Sequence, residues 1–228
     1  MVAVAEVAGV DAFRGGWVAV VLRDGAFAGA VAGRRFREVL AAMPAGAVVA
    51  VDIPIGLLER GWRRADAEAQ RFLGRRAASV FRTPPRAVVE AGTPAEAHEL
   101  CQALTGEKLS PFALNLAPRI LEVEACRDEA GARLYEVHPE VSFQALAGQG
   151  LAAGKKTWAG MVERRRLLKG AGIVLPDDLG TAGVAAVDDV LDAAVAAWSA
   201  TRIAAGTAAC LPDPPERDTD SRPVAIWY

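Results

Sequence analysis

The sequence has few of the side chains that bind soft metals or form disulfides. Its 228 residues include three cysteines and two histidines. Cys101, Cys126 and Cys210 are far apart and odd in number, which fits reduced thiols in a cytoplasm rather than a disulfide framework. We expect no zinc site, because zinc is bound mainly by cysteine and histidine. Any metal site must use carboxylates, which favour Mg²⁺ or Mn²⁺.

Long apolar runs and a large net charge are also absent. The longest apolar stretches, such as residues 48–55 and 193–198, fall short of the roughly 20 residues that cross a bilayer, so we expect no membrane association. Residues 1–9 lack a basic segment and contain Glu6, which argues against a cleaved signal. The formal net charge of −2 does not indicate nucleic-acid binding by the whole chain. We expect a cytoplasmic protein.

One segment concentrates positive charge. Residues 60–86 contain eight arginines against Asp66 and Glu68. Such a segment is typical of a surface that holds a phosphate backbone, with Arg71 and Arg75 as candidate contacts. It is equally typical of a solvated helix in an arginine-rich protein, and the sequence leaves both interpretations open.

The order of predicted elements favours an α/β fold. Apolar runs joined by glycine turns predict three strands, a helix and a buried fourth strand, at residues 2–10, 17–22, 26–32, 35–43 and 47–53. The pattern then becomes helical, including a helix over residues 112–128, before a short strand and further helices. The last predicted elements are a long apolar helix at about 187–205 and an edge strand at 224–228.

This order predicts one domain over residues 1–228. A mixed five-stranded sheet flanked by helices, with a helical insertion at about 58–130 after strand four, is what the ribonuclease H-like fold looks like.

Single carboxylates interrupt or end several of these apolar elements. Asp11, Asp52 and Glu136 lie at predicted strand ends, and Asp189 and Asp192 share one face of the last long helix. Each has a structural interpretation as a turn, cap or ion-pair residue. If strands one, four and five are neighbours, however, the carboxylates converge and need cations between them. We therefore predict that these five residues bind metal and are catalytic, with Asp188 as a neighbouring alternative to Asp189.

Two further features can serve an acidic site. Lys155, Lys156 and the later Arg164 accompany the start of a predicted helix, where basic side chains and the helix N-terminus favour phosphate. A solvated loop fits the two lysines as well. His138 is either a proton carrier or a hydrogen-bonded structural residue.

Several motifs together resemble the DUF429 family, which is described as predicted ribonuclease H-like nucleases. They are Gly9-Val10-Asp11 through Gly15-Gly16-Trp17, Val51-Asp52-Ile53-Pro54-Ile55-Gly56-Leu57, Asp66 through Arg71 with Leu73-Gly74 and Ser79-Val80-Phe81, Glu136-Val137-His138-Pro139-Glu140-Val141-Ser142-Phe143, Lys155-Lys156-Thr157, and Asp188-Asp189-Val190-Leu191-Asp192-Ala193. The resemblance implies the same acidic site, with Glu140 in reserve. The chain departs from the family after Ser110, where Pro111-Phe112 replaces an expected polar stretch, so a polar substrate contact from that loop is not implied.

The leading hypothesis is a metal-dependent nuclease or phosphodiesterase with two Mg²⁺ or Mn²⁺ ions, Asp11 bridging them, and a nucleic acid or nucleotide as partner. The basic residues Arg71, Arg75, Lys155, Lys156 and Arg164 would contact the substrate. One alternative is an ATP-dependent phosphotransferase of the actin and sugar-kinase type, although such enzymes usually need two domains of this kind. Another is a non-catalytic binding protein with a neutralised carboxylate network. The sequence leaves the substrate and any homo-oligomer open.

Overall fold

A computed structural model describes residues 6–44, 46–127 and 133–228. Five strands form one sheet in the order β3-β2-β1-β4-β5, with β1 antiparallel to β2, β2 antiparallel to β3, and β4 parallel to both β1 and β5. The strands are β1 (Glu6–Phe13), β2 (Gly16–Arg23), β3 (Ala26–Gly33), β4 (Val48–Val51) and β5 (Leu134–Glu136). The predicted mixed, ribonuclease H-like sheet is confirmed. Residues 2–5 of the first predicted strand lie outside the described residues.

The helices of the described residues are α1 (Phe36–Ala41), α2 (Arg64–Leu73), α3 (Arg86–Val89), α4 (Pro94–Thr105), α5 (Pro111–Ala125), α6 (Pro139–Ala147), α7 (Trp158–Gly170) and α8 (Val187–Ala204). The helices predicted near residues 35–43, 112–128 and 187–205 are present as α1, α5 and α8. Helices α2 to α5 confirm that helical structure follows strand four. The fifth ends at Ala125, and Asp128, where we predicted its end, lies outside the described residues. Among the described residues, no helix is long and apolar enough to cross a membrane.

The chain divides into two compact units. Unit 1 comprises Met1–Asp52, Cys126–Ala209 and Trp227–Tyr228, and unit 2 comprises Ile53–Ala125 and Cys210–Ile226. Unit 1 contains the five-stranded sheet with α1 and α6 to α8. Unit 2 contains α2 to α5, much of the predicted helical insertion.

The chain end differs from the prediction. Strand β6 (Cys210–Arg217) pairs with β7 (Pro223–Trp227) in a separate two-stranded sheet. The predicted last strand is therefore present as β7, but β6 was missed because it contains Pro212, Pro214 and Pro215. Proline lacks the backbone donor that strand ladders use, so a sequence rich in it is typical of irregular chain.

Helix α8 lies directly on the sheet in unit 1. Its inner face is rich in alanine, and Gly9 of β1 faces it without a side chain. A β-carbon on Gly9 would lie 2.0 Å from the Ala197 nitrogen and 2.1 Å from the Ala193 oxygen. Small residues on both elements therefore let the two backbones approach closely, which places the first turns of α8 beside the end of β1.

In unit 2, most of the arginines of residues 60–86 are engaged in ion pairs. Arg63 is buried and lies 2.5 Å from Asp66, which also accepts a hydrogen bond from the Thr83 amide. Four more ion pairs join Arg64 and Arg71 to Glu68, Arg82 to Glu107, and Arg86 to Glu124. The formal positive charge that the sequence concentrates here is therefore largely balanced, and Arg63 is a structural residue.

Candidate metal centre

Asp11 and Asp52 are brought together by the pairing of β1 with β4. The parallel register matches Val10 with Val51, and the Asp52 amide continues the ladder by donating to the Val10 carbonyl at 3.0 Å. Matched residues of neighbouring strands point to the same face, and successive residues alternate between faces. Asp11 and Asp52, each one step beyond the matched pair, therefore lie side by side on one face of the sheet.

Asp192 reaches the same place from α8. It directly precedes Ala193, whose carbonyl lies against Gly9, so the close approach of helix and strand carries its carboxylate to the end of β1. One carboxylate oxygen from each of Asp11, Asp52 and Asp192 lies within 4.8 Å of the others. We call these three residues the acidic trio. Asp11 and Asp192 are 6% and 1% exposed, whereas Asp52 is partly accessible.

Lys155 supplies a positive charge to the acidic trio. It lies in the loop between α6 and α7, and its ammonium donates to Asp192 Oδ2 at 2.5 Å. Its side chain stays 37% exposed. The second oxygen of Asp192, Oδ1, is buried and has no hydrogen-bond partner within the described parts of the chain. One ammonium thus faces three carboxylates, and one buried oxygen has no donor.

The pKa values of the acidic trio are raised by burial and changed further by the neighbouring charges. Burial raises the pKa of Asp52 to about 7, with Glu140 and Asp189 adding to the effect and Lys155 opposing it. Burial also raises the pKa of Asp192 to about 7 against the effect of Lys155.

The pKa values of Asp11 and Lys155 are also raised. The pKa of Asp11 is raised well above its usual value by burial and then by Asp52 and Asp192. Burial alone would lower the pKa of Lys155, but Asp192, Asp52 and Asp11 outweigh burial and raise it. The ammonium therefore stays charged at neutral pH, while the three carboxylates hold protons more tightly than ordinary aspartates because burial disfavours their charged forms and the neighbouring carboxylates add to that effect.

Asp189 lies one turn before Asp192, in the first turn of α8. It is partly exposed, and its pKa is raised by burial and by the neighbouring Asp188. The structure does not place it among the three carboxylates that converge, but its charge raises the pKa of both Asp11 and Asp52.

Glu136 lies on the other face of the sheet. Strand β5 matches Glu136 with Val51, not with Asp52. Because the faces alternate along a strand, Glu136 shares its face with Val51, opposite to the acidic trio. From the strand ends alone we expected Glu136 to lie with Asp11 and Asp52. The strand register corrects this expectation.

Arg164 is an internal residue rather than an exposed one. It is fully buried, its Nη2 lies 2.5 Å from Glu140 Oε1, and its guanidinium lies over the Phe143 ring. Its Nη1 donates to the carbonyls of Ala153 and Gly160. This corrects the expectation that Arg164 contacts substrate, since its side chain ties α6 to α7 and to the loop that carries Lys155.

The same loop is held by close backbone contacts. Thr157 donates to the Gly154 carbonyl at 2.8 Å and accepts from the Gly160 amide, which caps α7. A β-carbon on Gly160 would lie 2.0 Å from the Gly154 oxygen. The position of Lys155 therefore depends on residues of α7 as well as on its partner Asp192.

The other predicted substrate contacts lie at the surface. Lys156 is exposed, and its charge lowers the pKa of Asp189. Arg71 and Arg75 are exposed in unit 2, where Arg71 lies 3.6 Å from Glu68. His138 occupies the position before the first residue of α6, with an extended backbone.

Comparisons with known proteins gave one finding. The model of a family described as "Protein of unknown function (DUF429)" matches residues 9–217. No match was found among curated proteins or among solved structures.

Proposed function

The chain belongs to the DUF429 family, and from its converging carboxylates we propose that unit 1 is a hydrolase of phosphodiester bonds that depends on Mg²⁺ or Mn²⁺. The observation that carries the proposal is Asp192 Oδ1, a buried oxygen without a hydrogen-bond partner in the described residues, beside two more carboxylates. Leaving such a group unsatisfied is costly, and a cation would satisfy it.

The chemistry of the donors fits a hard divalent cation. Asp11, Asp52 and Asp192 offer oxygen ligands, and these are the ligands that Mg²⁺ and Mn²⁺ prefer. Asp189, from the neighbouring turn of α8, is a further ligand in this proposal. Glu136 is not, because it lies on the opposite face of the sheet. A bound cation would supply an activated water and neutralise charge on a phosphoryl group.

The basic residues of unit 1 then bind and orient an anionic substrate. Lys156 is exposed and available to phosphoryl oxygens, whereas Lys155 is paired with Asp192 at the acidic trio and keeps 37% of its side chain exposed. Arg164 acts indirectly by holding the loop of Lys155 through Ala153 and Gly160. Asp52, the most accessible member of the trio, lies where a substrate would approach.

The experiment is a hydrolysis assay with Mn²⁺ or Mg²⁺ on a chromogenic phosphodiester and on short single-stranded and structured oligonucleotides. Asp52→Asn and Asp192→Asn should lose activity by about 10²-fold or more, since each removes a ligand charge. The matched control is Asp177→Asn, the same change at an exposed position of unit 1. A fully active and correctly folded Asp52→Asn variant would overturn the proposal.

The Lys155–Asp192 ion pair favours a second candidate function. In a non-catalytic binding protein, Lys155 would serve as the permanent partner of the carboxylates. The two candidates differ in their response to metal. The binding protein should gain no stability from Mn²⁺, whereas the hydrolase should, because a ligand that binds the folded state stabilises it.

A further inference from the structure

The cation that the structure does place at the acidic trio is an ammonium. Lys155 Nζ holds Asp192 Oδ2, while Oδ1 of the same carboxylate is buried and has no partner in the described residues. One carboxylate oxygen each of Asp11 and Asp52 lies within 4.8 Å of a carboxylate oxygen of Asp192. A divalent cation among these oxygens would therefore lie within a few ångströms of a positive charge.

The two partners of this ion pair are in different environments. Asp192 is fixed in α8 and 1% exposed, whereas 37% of the Lys155 side chain is exposed, and it projects from a loop. A flexible four-carbon stem that reaches solvent can leave its partner without unpacking the core. Lys155 is therefore the partner that can move, and the unpartnered Oδ1 of Asp192 leaves that carboxylate able to accept a second cation.

We propose that Lys155 is the resident cation of this site, which a divalent metal ion displaces. In the metal-free protein its ammonium offsets part of the repulsion among the acidic trio. When the metal binds, the ammonium leaves Asp192 and becomes available to phosphoryl oxygens of the substrate. The inference rests on the proposed function, since it concerns the same metal site, but it makes a separate claim: Lys155 opposes metal binding.

The test is Mn²⁺ binding measured by titration calorimetry on the full chain in phosphate-free buffer. Lys155→Met should bind Mn²⁺ roughly tenfold tighter than wild type, because the competing positive charge is gone. Lys155→Arg retains the charge and should stay within about twofold of wild type. Lys156→Met, the same change at the exposed neighbour, should change the affinity less than Lys155→Met.

A second measurement uses wild-type protein and does not depend on the folding of a variant. Reductive ¹³C-methylation keeps the lysine charge, and NMR then reports the environment of Lys155. Saturating Mg²⁺ should move the Lys155 signals toward those of solvent-exposed lysines. If Lys155→Met does not fold, Lys155→Gln replaces it in the calorimetry.

The outcomes separate the inference from the proposed function. Equal or weaker Mn²⁺ binding by Lys155→Met, or unchanged Lys155 signals with Mg²⁺ bound, would overturn the displacement while leaving a metal site in place. Absence of Mn²⁺ binding in wild type and in all variants would overturn both. Tighter binding by Lys155→Met together with shifted signals supports both.

Discussion

Gly9 of β1 and Ala193 of α8 are packed so closely that a β-carbon on Gly9 would lie 2.1 Å from the Ala193 carbonyl oxygen. The contact is backbone against backbone, so no side-chain rotation can relieve it. Ala193 directly follows Asp192, and Gly9 lies two residues before Asp11. The same contact that packs the helix on the sheet therefore brings two carboxylates of the acidic trio together.

Gly9→Ala should consequently destabilise the protein. Overpacking in a core costs about 1–3 kcal/mol and occasionally more, and we expect a value of about 3 kcal/mol or above because the clash is with backbone atoms. The measurement is urea unfolding. Gly29→Ala in β3 is the control, since a β-carbon there meets no atom within 4 Å. A stability of Gly9→Ala equal to that of Gly29→Ala would contradict the packing of α8 on β1.

The loop of Lys155 depends on a second glycine contact. Gly160→Ala places a β-carbon 2.0 Å from the Gly154 oxygen and should lower the free energy of unfolding by about 1–3 kcal/mol. The control in the same helix is Gly170→Ala, where a β-carbon meets nothing within 4 Å. That change should be neutral or stabilising by up to about 1 kcal/mol, because alanine favours helix over glycine. In urea unfolding, Gly160→Ala should lower the free energy of unfolding and Gly170→Ala should leave it unchanged or raise it. Equal changes in the two variants would argue against the contact between Gly160 and the Gly154 oxygen.

Metal-free protein should lose stability as the pH rises from about 4 to about 7. The pKa values of Asp52 and Asp192 are about 7 in the folded protein against a usual value of 3.8. The folded state therefore binds more protons than the unfolded chain in this window, and the free energy of unfolding that these groups contribute falls as they ionise.

The check compares wild type with Asp52→Asn in metal-free urea unfolding at several pH values. Asp52→Asn removes one repelling charge. It should raise the free energy of unfolding only slightly at pH 5 and by more toward pH 8, where the other carboxylates are ionised. A constant difference in stability across this range would show that the carboxylates are not coupled as described. Saturating Mn²⁺ should reduce the pH dependence of wild type, because metal binding replaces protons.

The sequence predicted the two strand-end aspartates for a physical reason. A lone carboxylate in an apolar run such as residues 48–55 is costly unless it lies at the strand end with a partner. Parallel neighbours then place such ends together, as Val10 and Val51 do for Asp11 and Asp52. Helical spacing similarly placed Asp192 on the same face of α8 as Asp189. That strands one, four and five are neighbours was only a condition of the prediction, and the pairing of β4 with β1 and β5 meets it.

The positions of Glu136 and Arg164 depend on strand register and on long-range packing, which the local rules of strand ends and helical spacing do not predict. Which face Glu136 occupies depends on its register with Val51, and a shift of one residue would reverse it. Arg164 looks like an available cation in sequence, but its partner Glu140 is 24 residues away and only the packing of α6 against α7 pairs them. The ion pair of Lys155 with Asp192 likewise joins residues 37 apart.

The central claim, that the acidic trio binds a divalent cation, is tested most directly by thermal unfolding of metal-free protein with and without millimolar Mn²⁺. A cation at about one hundred times its dissociation constant stabilises by about 2.7 kcal/mol, which corresponds to a rise in Tm of roughly 5–10 °C for a chain of this size. Wild type and Asp177→Asn should show this rise, and Asp52→Asn should lose most of it. The same Tm with and without Mn²⁺ in wild type would contradict the account.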